Sequence, residues 1–163
     1  MNPSKSSSQD LLALHAKIVE ILREREILRS SNNPTGDLAE YLFCEAYPSW
    51  KRQPNSHAGF DAIDNRGAKY QIKGRRCAVQ DKSRMLGAIR NLKDKPFDVL
   101  AVVIFKEDYT VQHAALIPWA VVVKLAGEQQ THTNSHRFLL REDVWNKPGV
   151  RDVTRKLKSV KLR

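Results

Sequence analysis

The sequence predicts a mixed α/β (α+β) fold, with a central sheet of mixed strand direction flanked by helices. Three observations predict it. Helical periodicity fills the first fifty residues, period-two alternation takes over after Trp50, and the apolar run FDVLAVVIF at 97–105 reads as a central strand buried on both faces.

Residues 1–10 are polar and expected to be disordered. Leu11, Leu14, Ile18, Ile21, Leu22 and Leu28 then recur on one stripe of a helix, with Ser7 or Ser8 as candidate N-cap. The Ser/Asn run at 30–33 ends it. Asn33 and Pro34 open a second helix that Pro48 closes, with Ala39, Leu42, Phe43 and Ala46 facing the core. Short strands are predicted at 50–53 and 60–63, a turn at 64–67 and a strand at 68–75. In that last strand Tyr70 and Ile72 point to one face, and Gln71 and Lys73 to the other. The pattern next predicts a helix over 83–92, then strands at 97–105 and 111–117, a proline-opened helix at 118–126 and a short strand at 138–140. Residues 11–146 are expected to form one domain with an N-terminal helix, and 147–163 a basic tail with room for a terminal helix.

The chain has 163 residues, 28 Lys plus Arg and 18 Asp plus Glu, giving a net charge of +10. An apolar content of 41% argues against wholesale disorder. No apolar run is long enough to span a bilayer, and no apolar segment near the N-terminus suggests secretion. Two cysteines, Cys44 and Cys77, make no disulfide framework, so a reducing, cytoplasmic location is expected. The charge is segregated. Residues 51–95 hold 12 basic and 4 acidic side chains, net +8, and 147–163 hold 7 and 1, net +6. The two remaining segments, 1–50 and 96–146, are each net −2. Segregation of this kind suits a polyanion. Lys51, Arg52, Lys69, Arg75, Arg76, Lys82, Arg84 and Arg90 are the candidate phosphate contacts. A plain cross-strand Asp61–Lys73 ion pair and solvated strand charges are the bland alternatives. His132 and His136 lie in a loop-like context without a Cys or acidic neighbour, which argues against zinc.

The candidate chemistry lies at one strand pair. Asp61 is on a short strand, Gln71 and Lys73 share a face of the next, and Glu40 flanks the apolar face of the preceding helix. Carboxylates, a side-chain carbonyl and an ammonium suit phosphodiester hydrolysis with Mg²⁺, for which Mn²⁺ commonly substitutes. A lysine beside such a site can orient water and balance transition-state charge.

These residues resemble a known family. Gly36-Asp37-Leu38-Ala39-Glu40 is similar to the G-x-x-x-E helix of the PD-(D/E)xK nuclease superfamily, and Gly59-Phe60-Asp61 followed by Gln71-Ile72-Lys73 to its D…(E/Q)-x-K core. The Q-x-K form is similar to that of Mrr-like nucleases. The resemblance covers 33–126 and implies a restriction-endonuclease-like fold and a Mg²⁺-dependent endonuclease acting on double-stranded DNA, nucleoid-associated through that binding. Asp61 would be the main metal ligand, Gln71 and the backbone carbonyl of Ile72 would complete the set, Lys73 would be catalytic, and Glu40 would act through water or a second metal. Enzymes of this type often cut as symmetric dimers, so a homodimer is implied. Phe60 stands where the family has proline, and Gln71 where Glu is usual. The second change removes a negative charge and lowers the expected metal affinity. A non-catalytic DNA-binding module of the same fold, or a structure-specific repair or recombination nuclease, are the alternatives.

Overall fold

The computed structural model describes residues 3–54, 57–77 and 83–162. Helix α1 (Ser8–Glu24) starts at Ser7, whose Oγ accepts from the backbone N–H of Asp10 at 3.1 Å and donates to Asp10 Oδ2 at 2.6 Å. The last three residues of the segment expected to be disordered are therefore helical. Helix α2 (Pro34–Ala46) starts as its sequence dictates: Asn33 Oδ1 accepts from Thr35 N at 3.0 Å and Pro34 takes the first turn.

Six strands form the central sheet in the order β1 (Lys51–Arg52), β2 (Ala62–Ile63), β3 (Lys69–Arg76), β5 (Val99–Phe105), β6 (Val111–Pro118), β9 (Arg151–Asp152). Only the β3–β5 pair is parallel, so the sheet is mixed. A second, antiparallel sheet has the order β4 (Met85–Arg90), β8 (Ser135–Leu139), β7 (Gln129–Gln130). Alternation along β5 and β6 sorts the core into two layers. Ala101, Val103, Phe105, Ala114 and Leu116 face α2 and α4 (Thr154–Lys158); Leu100, Val102, Ile104, Ala115 and Ile117 face α3 (Trp119–Leu125) and the second sheet. The turn at 64–67 closes on Asp64 Oδ1, which accepts from Arg66 N and Ala68 N at 2.9 Å each, with Gly67 at φ +83°.

Two expectations change. Residues 83–92 contain strand β4, not a helix. Leu86 and Ile89 are both buried and sit three apart, which mimics a helical repeat. A bulge between them, where Gly87 and Ala88 are exposed, shifts the strand's phase and produces that spacing. The basic segment expected as a tail is, over its described residues to Leu162, packed onto the domain, and the terminal helix it had room for forms as α4. It carries β9 and α4, places Val153 and Leu157 in the α2-side core, and binds β6 through Thr154 Oγ1, which accepts from Ala114 N at 2.8 Å. Only two of its apolar side chains, Val153 and Leu157, are buried, and they stand among seven basic residues, which is why the composition hid this. No helix among the described residues is long and apolar enough to cross a membrane.

One contact fixes α2 against the sheet. A Cβ on Gly74 would lie 2.7 Å from Thr35 O and 3.0 Å from Ala39 Cβ, so the helix backbone rests directly on β3. Gly74→Ala should therefore force α2 away and lower stability by about 1–3 kcal/mol, read as a lower urea midpoint with an unchanged slope.

Candidate functional site

Strand β2 pairs with β3 only at Ala62–Tyr70 and Ile63–Lys69. Beyond that point no strand among the described residues pairs with this edge of β3, and Asp61 takes over. Its N–H donates to Tyr70 O at 2.8 Å, and its Oδ2 accepts from Ile72 N at 2.6 Å and from Gln71 Nε2. Alternate residues of a strand turn their backbone groups to the same side. Tyr70 and Ile72 thus both face Asp61, and the carbonyl of Ile72 points to the same side as its N–H. Both hydrogen bonds to the Asp61 carboxylate end on Oδ2; Oδ1 takes neither.

Gln71 and Lys73 are half-buried on the opposite face of β3 from α2. Their neighbours across β5 are Leu100 and Val102, both fully buried. Two polar side chains thus continue a row that is otherwise core. Burial pushes the Asp61 carboxyl above its ordinary pKa, against the pull of the Ile72 N–H, Lys73, Gln71 and Arg29. Burial also pulls Lys73 below its ordinary value, with Arg90 adding to the shift and Asp61 and Glu40 opposing it. The two charges stabilise each other in a place that favours neither.

Glu40 belongs to the other layer, on the helix that packs against Ile72 and Gly74. Its Oε2 accepts from Arg29 Nη2 and, at 3.1 Å, from Arg52 Nε. Burial raises its pKa first and the nearby Asp61 charge second, while the two guanidiniums oppose both. The expected metal carboxylate is therefore held by two arginines in this structure, though it stays within electrostatic reach of Asp61. Arg29 is the residue the sequence reading missed. Its Nη1 donates to Gln53 O at 2.6 Å, and its charge acts on Asp61. No local pattern marks it, because it lies in the loop between α1 and α2 and its partner is eleven positions away on α2.

The expected phosphate contacts divide. Arg52 is turned inward, donating to Glu40 and to Asp37 O at 3.1 Å. Arg84 pairs with Glu142, and Arg76 lies 4.8 Å from the Tyr109 ring centroid. Arg75 Nε donates to Ser83 O at 3.3 Å. Lys51, Lys69 and Arg90 are exposed, and Arg90 acts electrostatically on Lys73 from β4. Lys82 lies outside the described residues.

Among the described residues no three His, Cys, Asp or Glu side chains cluster as a metal site. The donor set at Asp61 is of another kind: one carboxylate oxygen, the Gln71 amide oxygen and the Ile72 carbonyl. All are hard oxygen donors, and few enough that water must fill the remaining positions, which fits a single Mg²⁺ or Mn²⁺. No protein-family model matches the chain, and no curated protein matches it.

Two outcomes follow from this geometry. A carboxyl with a raised pKa binds its proton more tightly in the folded state, so its contribution to stability is present at low pH and lost as pH rises through the raised value. Asp61→Asn should thus gain thermal stability relative to the wild type as pH climbs from about 4 to about 7, measured by calorimetry of metal-free protein. Glu40→Gln should likewise gain thermal stability relative to the wild type as pH rises, because the Glu40 carboxyl is also raised and the amide keeps an oxygen acceptor for the guanidiniums without the desolvated charge. If Glu40 positions arginines rather than binding metal, Mn²⁺ affinity by titration calorimetry should move less than about twofold, well under the 1.4 kcal/mol of a tenfold change.

Proposed function

We propose that the protein is a metal-dependent endonuclease of restriction-endonuclease-like fold that hydrolyses phosphodiester bonds of double-stranded DNA. The observation that carries the reading is the meeting of Asp61, Gln71, the Ile72 carbonyl and Lys73 at the point where β2 leaves β3. A bound divalent cation would polarise the scissile phosphate and lower the pKa of a bound water. Asp61 Oδ1, Gln71 Oε1 and Ile72 O would hold it. Lys73, half-buried beside Asp61, would orient the attacking water and offset charge gathering on the phosphate oxygens. Arg29 helps keep Asp61 ionised, and Glu40 holds Arg29 and Arg52 in place. Lys51, Lys69 and Arg90 would contact the DNA backbone without reading sequence.

One observation favours a second reading, a DNA-binding module without catalysis. The Gln71 amide already donates to Asp61, which closes the site on itself. Plasmid cleavage in Mg²⁺ or Mn²⁺ separates the two. The nuclease reading expects cutting by the wild type, reduced roughly 10²-fold or more in Asp61→Ala and Lys73→Ala. In Gln71→Glu, less Mg²⁺ should suffice, since a second carboxylate would replace the amide. Salt-sensitive DNA binding by wild type and variants alike, with no cutting by any, would establish the module instead.

A further inference from the structure

Helix α1 stands apart from the fold it belongs to. It buries no side chain, and only Val19 and Leu22, both partly buried, pack on the core. The rest of its apolar stripe is not among the residues that pack there. Leu11, Leu14, Ile18 and Ile21 follow a three-four-three spacing, the a and d positions of a heptad, and Leu11, Ile18 and Ile21 are 38%, 46% and 36% exposed. In a protein most of a helix's stability comes from packing its apolar face rather than from its own propensity. A seam of this kind is stable when another helix covers it.

We propose that the seam pairs with the same seam of a second copy, in parallel, and that α1 is the dimerisation helix of the protein. Charge identifies the occupant. α1 carries Asp10, Glu20 and Glu24 against Lys17 and Arg23, so it attracts neither DNA nor an anionic membrane. The positions flanking the seam are Asp10, Lys17 and Glu24 on one side and His15 and Leu22 on the other. In a parallel pair Asp10 of one copy faces His15 of the other, and the Lys17 stem lies over Leu22, with no like charges opposed. An antiparallel pair would set Lys17 against Lys17 and Asp10 against Glu24. The inference does not rest on the nuclease reading, since no residue of the Asp61 site takes part.

Analytical ultracentrifugation of the full chain from about 1 to about 100 μM tests it, a range that brackets micromolar association. The wild type should show a reversible monomer–dimer equilibrium. Ile18→Lys should raise the half-association concentration roughly tenfold or more, because a charge replaces an apolar layer in both copies. Ile18→Leu should leave it within about twofold. A wild type that stays monomeric throughout, or an Ile18→Lys protein that still dimerises equally well, would overturn the proposal. A urea midpoint lowered by Ile18→Lys at concentrations where the wild type is monomeric would show that the stripe packs on its own domain, and would overturn it too. Pelleting of the wild type, but not Ile18→Lys, with phosphatidylcholine vesicles would assign the seam to lipid instead.

Discussion

The backbone N–H of Ile72 is the constraint around which the candidate site is organised. β3 is a sheet strand on one edge, where β5 runs beside it for seven residues, but its other edge has β2 for only two. A half-covered amide at the end of that short pairing needs an acceptor, because a buried unpaired N–H costs about as much as a lost hydrogen bond. Asp61 Oδ2 supplies it. The same step carries the carboxylate out of water and raises its pKa. The fold thus uses a charged group for a backbone task at a place that disfavours charge. A cation approaching Oδ1 would relieve that conflict, and so would a proton. Here a local stability penalty and a binding capacity share one physical origin.

A second knot ties this edge to the rest of the molecule. Asp37 on α2 is buried, and its Oδ2 accepts from Arg29 N, Ser30 N and Ser30 Oγ, each at 2.9 Å. Burial raises its pKa, but these bonds outweigh burial and hold it below the ordinary value. One turn further along α2, Glu40 takes the Arg29 side chain, and Arg29 in turn reaches Gln53 beyond β1. A single residue is therefore gripped by α2 through both its backbone and its side chain. The Gly36–Glu40 pattern that resembles a nuclease helix thus performs a structural task here, and Gly74 sets how closely that helix approaches β3.

Much of this was legible in the residues, and the gaps have causes. The caps of both helices, the Asp64–Gly67 turn and the alternation of β3 are local features, and each is where the pattern placed it. The uninterrupted apolar run became β5 because it is covered on both faces. The failures are non-local. β4 reads as a helix because a bulge gives Leu86 and Ile89 a helical spacing, which only pairing with β8 reveals. Residues 147–162 fold onto β6 through Val153, Thr154 and Leu157, too sparse a signal within so basic a segment. At the candidate site, the strand alternation and the resemblance together already set Asp61, Gln71 and Lys73 at one strand pair, which is where they lie. The Arg29 and Arg52 bonds that occupy Glu40 were not legible, since a loop arginine and a strand arginine meeting a helix carboxylate leave no periodicity.

Charge gives Gln71 its meaning. Asp61 and Glu40 bring two negative charges, while Lys73, Arg29 and Arg52 bring three positive ones. A glutamate at 71 would balance the set and bind a divalent cation more tightly, but it would also turn the surroundings of the strand edge neutral. With an amide there, the local field remains positive, which draws a phosphate in and weakens the hold on a free cation. The amide also donates to Asp61, which a carboxylate cannot do while ionised. In the proposed nuclease, cation and phosphate would bind as a pair: Asp61, Ile72 O and Gln71 would hold the cation, and a substrate oxygen would supply the negative charge that Gln71 withholds. Metal affinity measured without DNA then understates the affinity in its presence, because binding free energies are coupled reciprocally.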